Sequence, residues 1–543
     1  MNGYDVLAQI LSQEGIDFIS AFPMQQLIDS CSKIGIRPVI CRQERVGVGI
    51  ADGYSRVKNG NPFGVFTMQQ GPGAENAFAG VAQSFADSVP LLHLAGGEPL
   101  SRRGIHPSFQ AVRSHEHITK WAAQIHDVND IPQMLRRATG KIRNGRLGPV
   151  LIEMPVDIMR KTYNGKFQYT PINKHLSSAS TEDVGEIIRT LLTAKYPIIN
   201  AGQGILYSQA TRELVEFAEL AQIPVMTTLA GKSAFPETHN LSLGTGGLTR
   251  PLPVTHALEA TDFILGVGTS FTKNTFTTSM PENVNLCQIT NVSEDIGKDY
   301  PISLGAVGDA KLVLRQLCEE YRRQEGIKKR LHSHYQIDSL SEIRKEFELY
   351  WESHLTSNEI PISPYRVIRE IEKAFPPKDT IITHDSGYPR DQMIPMWKAP
   401  IPRSYLAWGK STQLGLGLGL AIGAKIAKPN KHVVNVMGEA AFGMTGLDLE
   451  TAVRSQIPIT TVVLNNGHMT GYDKHMPTAS KNFNSNKLTG NYSEIGRGIG
   501  AYSERVEKPE ILSSAFKRAQ EANKEGSPAL IEVISKVETN VSK

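Results

Sequence analysis

The residues of this 543-residue chain best placed to do chemistry are a carboxylate and a carboxamide, each following a short β-rich run. Residues 433–437 lead into Gly438-Glu439-Ala440-Ala441, and residues 460–464 lead into Asn465-Asn466, so Asn466 follows Glu439 by 27 positions. Both oxygen donors thus arrive at the carboxyl ends of expected strands, the edge at which open α/β sheets bind ligands. A hard carboxylate and amide oxygen beside a glycine-bearing turn suit a small divalent cation holding a diphosphate.

Two further segments carry chemistry in the first third of the chain. Glu44 sits where a strand is expected to end, and the small residues of Val46-Gly47-Val48-Gly49-Ile50-Ala51-Asp52-Gly53-Tyr54-Ser55-Arg56 open a helix after it. A carboxyl in that place can share a proton with a ligand nitrogen, a task that burial favours by raising its pKa. The strand at 64–68 runs into Gln69-Gln70-Gly71-Pro72-Gly73-Ala74-Glu75-Asn76, a turn whose glycines permit positive φ and close backbone approach.

Together these segments resemble the thiamine diphosphate enzymes, in which Gly-Asp-Gly is followed at this spacing by Asn-Asn. The acetolactate synthase, pyruvate oxidase, benzoylformate decarboxylase and oxalyl-CoA decarboxylase group is the branch most similar to the chain. The resemblance implies Glu439, Asn466 and the main-chain carbonyl of His468 as Mg²⁺ ligands, with Gly438, Ala440, Ala441 and Met469 beside the diphosphate. It implies Glu44 as partner of the aminopyrimidine nitrogen, and Gly71, Pro72 and Asn76 beside that ring. Ser386, Gly387 and Tyr388 stand where the family's turn meets the diphosphate. Gln413 and Leu414 stand where a large aliphatic residue wedges between the two cofactor rings, an orientation effect on reactivity. Phe109 and Gln110 match a Phe-Gln pair that faces the reacting centre, and Gln25 and Gln26 occupy the first loop, where substrates are met.

Several positions depart from the family pattern. Glu439 replaces aspartate and pushes the carboxylate out by about one methylene, which the strict octahedral geometry of Mg²⁺ requires the loop to absorb. Ala440 replaces the second glycine, and Tyr388 and Pro389 replace a glutamine and a histidine. Thr269–Lys273 lack the arginine with which flavin-binding relatives hold their cofactor, and Asn291 replaces an acid, so FAD is not expected and the middle block is read as structural.

The elements that must position these residues alternate between short β-rich runs and amphipathic helices, which predicts an α/β fold of three doubly wound parallel-sheet domains. They are an N-terminal pyrimidine-binding domain (1–160), a central Rossmann-like domain (183–322) and a C-terminal diphosphate- and Mg²⁺-binding domain (360–543). A polar linker (161–182) and a charged, helical, solvent-facing connector (322–358) separate them, and the first and third blocks could be related folds. Expected helices and strands include 184–194, 197–200, 224–227, 263–267 and 149–155.

Composition sets the remaining bounds. Apolar residues make up 40% and charged residues 21%, with a net charge of +4, so no dedicated nucleic-acid or membrane surface is implied. Cys31, Cys41, Cys287 and Cys318 form no metal spacing and read as reduced structural thiols of a cytoplasmic protein. No signal peptide is evident, and the glycine-rich apolar window 414–427 is too short to span a bilayer.

The resemblance implies a small-molecule substrate, a homodimer or homotetramer with active sites between subunits, and decarboxylation or carboligation of a 2-oxo acid. A coenzyme A thioester lyase or decarboxylase is the alternative, because Gly438 to Gly443 also resembles the Gly-Asp-Ser-Ala-Phe-Gly turn of those relatives. An ADP pocket in the middle domain would favour it. A non-catalytic homologue is the third reading, motivated by Glu439 and the altered loops.

Overall fold

The computed structural model describes residues 1–324 and 335–543. Three six-stranded sheets follow one another along the chain, and every strand pair within them is parallel. The first contains β1 (Phe18–Phe22), β2 (Arg37–Ile40), β3 (Gly64–Met68), β4 (Leu91–Gly97), β5 (Trp121–Gln124) and β6 (Pro149–Pro155). The second contains β7 (Pro197–Ala201), β8 (Val225–Thr227), β9 (Ser242–Thr245), β10 (Phe263–Val267), β11 (Asn285–Thr290) and β12 (Leu304–Val307). The third contains β13 (Thr380–His384), β14 (Tyr405–Leu406), β15 (His432–Gly438), β16 (Thr460–Asn465), β17 (Tyr502–Val506) and β18 (Ala529–Ile534).

Strand order shows how the blocks are related. The first sheet reads β2-β1-β3-β4-β6-β5 and the third β14-β13-β15-β16-β18-β17, the same order counted from the start of each domain. The middle sheet, β12-β11-β10-β7-β8-β9, has the Rossmann order. Because each sheet is parallel and covered by helices, its strands are apolar almost throughout rather than alternating.

The first and third domains meet through two helices, Glu44–Val57 and Leu416–Ala427, whose residues share one core cluster. Glycines set their separation. A Cβ on Gly53 would lie 2.3 Å from the Leu420 carbonyl oxygen, and one on Gly423 would lie 2.0 Å from that of Ile50. Gly49 and Gly419 face each other at the same crossing, and backbones so close exclude any larger residue.

A buried ion network ties the first domain to the other two. Arg56, 1% exposed, pairs with Asp52 and Asp87 and donates to the Ala407 carbonyl of the third domain. The Asp87 main-chain carbonyl accepts from Gln203 of the middle domain. Removing one member of such a buried network costs about 3–5 kcal/mol, because the remaining charge is stranded.

Some boundaries differ from expectation. The strand expected to end at Glu44 stops at Ile40, and Glu44 is the first residue of its helix. The reason is that the Arg42 N–H leaves the sheet to donate to Asp448 of the third domain. The helix expected from 184 begins at Thr181, capped by Ser180, and β8 begins at Val225. Of the charged connector, 325–334 lie outside the described residues. The helix Tyr335–Leu355 beside them is not wholly solvent-facing, since Leu340 and Trp351 are buried. No helix among the described residues is long and apolar enough to cross a membrane.

Gly423→Ala is expected to destabilise the protein by about 1–3 kcal/mol through overpacking at the helix crossing. Urea unfolding followed by circular dichroism would measure it, and an unchanged midpoint would contradict the crossing as described.

Candidate active site

In the third domain, β13 and β15 are neighbours although β14 intervenes in sequence, so connections leave them in opposite directions. Ligands bind at such switch points, outside the carboxyl ends of the strands. A cleft of about 1070 Å³, open to solvent, lies there. Its walls include Ser386, Gly387 and Tyr388 after β13, Gly438, Glu439, Ala440 and Ala441 after β15, and Asn466, His468 and Met469 after β16. Thr412 and Leu414 close one side, and Phe276 is contributed by the middle domain. Gln413 is not among the walls; its side-chain oxygen is buried without a partner.

The oxygen donors converge. Glu439, 3% exposed, accepts the main-chain N–H groups of Asn466 at 3.2 Å and His468 at 3.1 Å through one carboxylate oxygen. The Asn466 side-chain oxygen accepts the same His468 N–H at 2.9 Å, while its amide nitrogen donates to Thr470. Two hard oxygens therefore crowd around one donor. Burial pushes the Glu439 carboxyl up, and the amides of His468, Asn466 and Gly467 pull it back. The turn after β16 thus wraps the Glu439 carboxylate with main-chain amides. A carboxylate and a carboxamide oxygen side by side are donors of the kind a small hard cation takes. Among the described residues no group of three or more His, Cys, Asp or Glu could hold a metal, so a cation here would have one carboxylate, Glu439, and would rely on amide and carbonyl oxygens for the rest.

The turn after β13 forms another wall. Gly387 has φ +86°, and a Cβ there would point into open space. Asp385, fully buried, accepts N–H groups from Ser386, Gly415 and Gly417, which pins this turn to the start of the Leu416 helix. Burial pushes Asp385 up to about 6 despite these donors. Leu414, adjacent to the pinned Gly415, packs against the shared core and also faces the cleft.

In the first domain, the remaining expected site residues follow the carboxyl ends of parallel strands on one sheet edge. Gln25 and Gln26, both exposed, begin the helix after β1, and Glu44 begins the helix after β2. Gly71, with φ +60°, caps the helix Pro72–Ala86 after β3. Phe109 and the exposed Gln110 end the loop after β4. Glu44 is 3% exposed; burial raises its pKa, partly offset by its own backbone amide and the Asn76 side chain. None of these residues walls the third-domain cleft.

A second cleft, of about 1300 Å³, opens at the carboxyl ends of the middle-domain strands and is walled by all three domains. Asp87, Arg146, Lys174 and Lys410 enter it beside Asn200, Tyr207 and Thr278. Side-chain oxygens of Asp87, Asn200, Tyr207 and Thr278 are buried without partners. Burial and the Arg146 charge lower Lys410 to about 8, and its ammonium donates to Ser270 at 3.2 Å. No single stretch of the sequence points to this cleft, which lies in the block read as structural. The sequence reading also missed Asp385 and Asp448 as connectors; the only local signal was Asp385 directly ahead of Ser386-Gly387.

Comparison with known proteins matches three family models in order. They are the thiamine pyrophosphate enzyme N-terminal TPP binding domain over residues 1–123, the central domain over 184–317, and the C-terminal TPP binding domain over 385–533. The "Probable acetolactate synthase large subunit" of Methanocaldococcus jannaschii is 30% identical over 491 residues, 86% of this chain and 80% of the relative. Its namesake from Methanococcus aeolicus is 29% identical, covering 96% of this chain and 90% of the relative. The glyoxylate carboligase of Escherichia coli O157:H7 is 28% identical, covering 100% and 94%.

Asp448 offers a test of the site's scaffold. It accepts the Arg42 N–H at 2.8 Å just ahead of Glu44, and burial pushes it from 3.8 up to about 6. Between those values the folded chain holds a proton that the unfolded chain has released, so this group's contribution to stability falls as pH rises through the window. Asp448→Asn keeps the accepting oxygen and should flatten the pH dependence of the urea midpoint there, by at most about 1.4 kcal/mol per pH unit. An unchanged slope would contradict the assignment.

Proposed function

This chain belongs to the acetolactate synthase-like thiamine pyrophosphate enzymes, and we propose that it uses thiamine diphosphate and Mg²⁺ to decarboxylate or ligate a 2-oxo acid. The observation that carries the reading is the convergence of the Glu439 and Asn466 oxygens on one amide at the switch point. Those oxygens and the His468 carbonyl hold the cation. Backbone groups at Ser386, Gly387, Ala440 and Ala441 receive the diphosphate, and Leu414 supports its ring system. Bound there, the cofactor supplies an electron sink for the loss of CO₂. Glu44, buried with a raised pKa, exchanges a proton with the aminopyrimidine nitrogen. Gln25, Gln26 and Gln110 offer neutral hydrogen bonds to the substrate carboxylate or carbonyl, and Phe109 and Met469 bound the apolar side. Retention of Glu44 favours a catalyst over a non-catalytic homologue.

The complete site is formed between two copies of the chain, in a homodimer or homotetramer. That Glu44, Gly71 and Gln110 do not wall the third-domain cleft supports this. Four buried free thiols, of which Cys31, Cys287 and Cys318 are pushed up to about 12, suit a reducing cytoplasm.

Glu44→Gln is expected to keep cofactor binding and abolish exchange of the thiazolium proton, measured by NMR after acid quench. Wild-type exchange would remove Glu44 from the reaction. Glu439→Ala and Asn466→Ala should each weaken apparent cofactor binding by about tenfold or more and make it steeply Mg²⁺-dependent. Unchanged titrations would take both residues out of the site.

The middle cleft favours a second reading, in which the substrate is a coenzyme A thioester. Its cations and unpartnered buried oxygens suit a phosphorylated nucleoside. Because Thr269–Lys273 lack the family's arginine, denatured protein is expected to release no stoichiometric flavin. Flavin absorbance in the supernatant would overturn that expectation, and turnover of an acyl-CoA in place of a free 2-oxo acid would select the second reading.

A further inference from the structure

Behind the pair of Glu439 and Asn466 stands a carboxylate that is not among the walls of the cleft. Glu532 lies on β18, is 0% exposed, and sits opposite Val463 of the neighbouring β16. Two residues further along β16, on the same face, comes Asn465, the last residue of that strand and the one directly ahead of Asn466. The Asn465 side-chain amide donates to Glu532 Oε1 at 2.7 Å. Glu532 Oε2 accepts the main-chain N–H of Ser493 at 2.9 Å, and Arg505 of β17 donates to Oε1 at 3.4 Å. A carboxylate buried so completely is tolerated because donors meet both of its oxygens.

Two of these donors lead to the site. With its amide held by Glu532, the Asn465 side chain turns its oxygen to the Gly467 N–H, which donates to it at 3.2 Å. That bond closes the turn in which Gly467 takes φ +70°, and the next amide, of His468, is the one shared by Glu439 and Asn466. On the other side, Ser493 follows Tyr492, the first residue of the helix Tyr492–Gly498. The Tyr492 ring meets Phe442 edge-on, with centroids 5.6 Å apart, and Phe442 belongs to the helix Glu439–Thr445. One buried carboxylate thus reaches the turn of Asn466 through hydrogen bonds and the helix of Glu439 through ring packing. Mg²⁺ demands nearly fixed oxygen distances and directions, so groups that orient its ligands from behind matter by about 10–100-fold in affinity.

We propose that Glu532 is a positioning residue for the cation-binding pair, setting the 466–468 turn through Asn465 and bracing the helix of Glu439 through Ser493. This rests on the reading of Glu439 and Asn466 as Mg²⁺ ligands. Glu532 itself stays outside the cleft and acts through the donors it accepts.

The test uses the full-length protein and the variants Glu532→Gln, Asn465→Ala and the two combined. Glutamine fills the same space but sets one oxygen and one N–H₂ group where both Asn465 and Ser493 need an acceptor. In metal-free protein, hydrogen exchange of the 466–468 amides is expected to accelerate about tenfold or more in each single variant, with amides of the first domain unchanged. Mg²⁺ titrated calorimetrically at saturating thiamine diphosphate should bind each single variant about tenfold or more weakly than the wild type. The double variant should fall well short of the product of the two losses, because both residues act along one chain of hydrogen bonds. Saturating Mg²⁺ should restore thiazolium proton exchange in the single variants, which a general loss of structure would not allow. Wild-type exchange of the 466–468 amides overturns the proposal. So do wild-type Mg²⁺ affinity in either single variant and a double variant whose loss equals the product. Failure of the metal reading shows separately, as wild-type protein that takes up no Mg²⁺ with the cofactor while the variants still loosen the turn.

Discussion

The helix crossing between Glu44–Val57 and Leu416–Ala427 is the contact on which both halves of the site depend. Each helix begins at a functional position: Glu44 is the first residue of one, and Leu414 directly precedes the Gly415 cap of the other. Their separation is set by missing side chains, since Cβ atoms on Gly53 or Gly423 would collide with opposing carbonyl oxygens. Dense packing leaves such a crossing little freedom to slide, so one rigid contact sets Glu44 and Leu414 in a common frame.

Buried carboxylates then carry that frame out to the loops. Asp385 ties Ser386 to Gly415 and Gly417, Asp448 ties the chain ahead of Glu44 to the third domain, and Glu153 accepts from Gln124 on the neighbouring strand. Burying an acid is costly unless hydrogen-bond donors meet it. Burial raises all three, to about 6 for Asp385 and Asp448, which indicates that the donors offset only part of that cost. Loops that must present polar atoms to a ligand cannot bury themselves for stability, and amide-to-carboxylate ties are a compact means of fixing them.

Much of the third-domain cleft was legible in the sequence because its chemistry is local. Glu439 and Asn466 each follow a strand whose apolar run is unmistakable, and Gly71 adopts the positive φ that its turn was read to permit. The three-sheet plan was legible for the same reason, and the shared strand order of the first and third domains supports their reading as related folds. What escaped was non-local. Asp448 acts on Arg42 across 406 residues, and Asp157 on Leu100 across 57. The middle cleft draws Asp87, Arg146, Lys174 and Lys410 from separate segments, so no single stretch announces it. The early end of β2 had the same origin, a main-chain amide claimed by a distant carboxylate.

The central proposal is that a complete site takes Glu44 from one copy of the chain and the third-domain cleft from another. Mixing two inactive variants tests it most directly: Glu44→Gln chains, defective in the first-domain half, with Asn466→Ala chains, defective in the third-domain half. Subunits exchanged under mild denaturant and reassembled with cofactor should regain about a quarter of wild-type activity, because random pairing gives half mixed dimers and each has one intact site. Activity no greater than the sum of the separate variants, with exchange verified by mass spectrometry, would contradict the account.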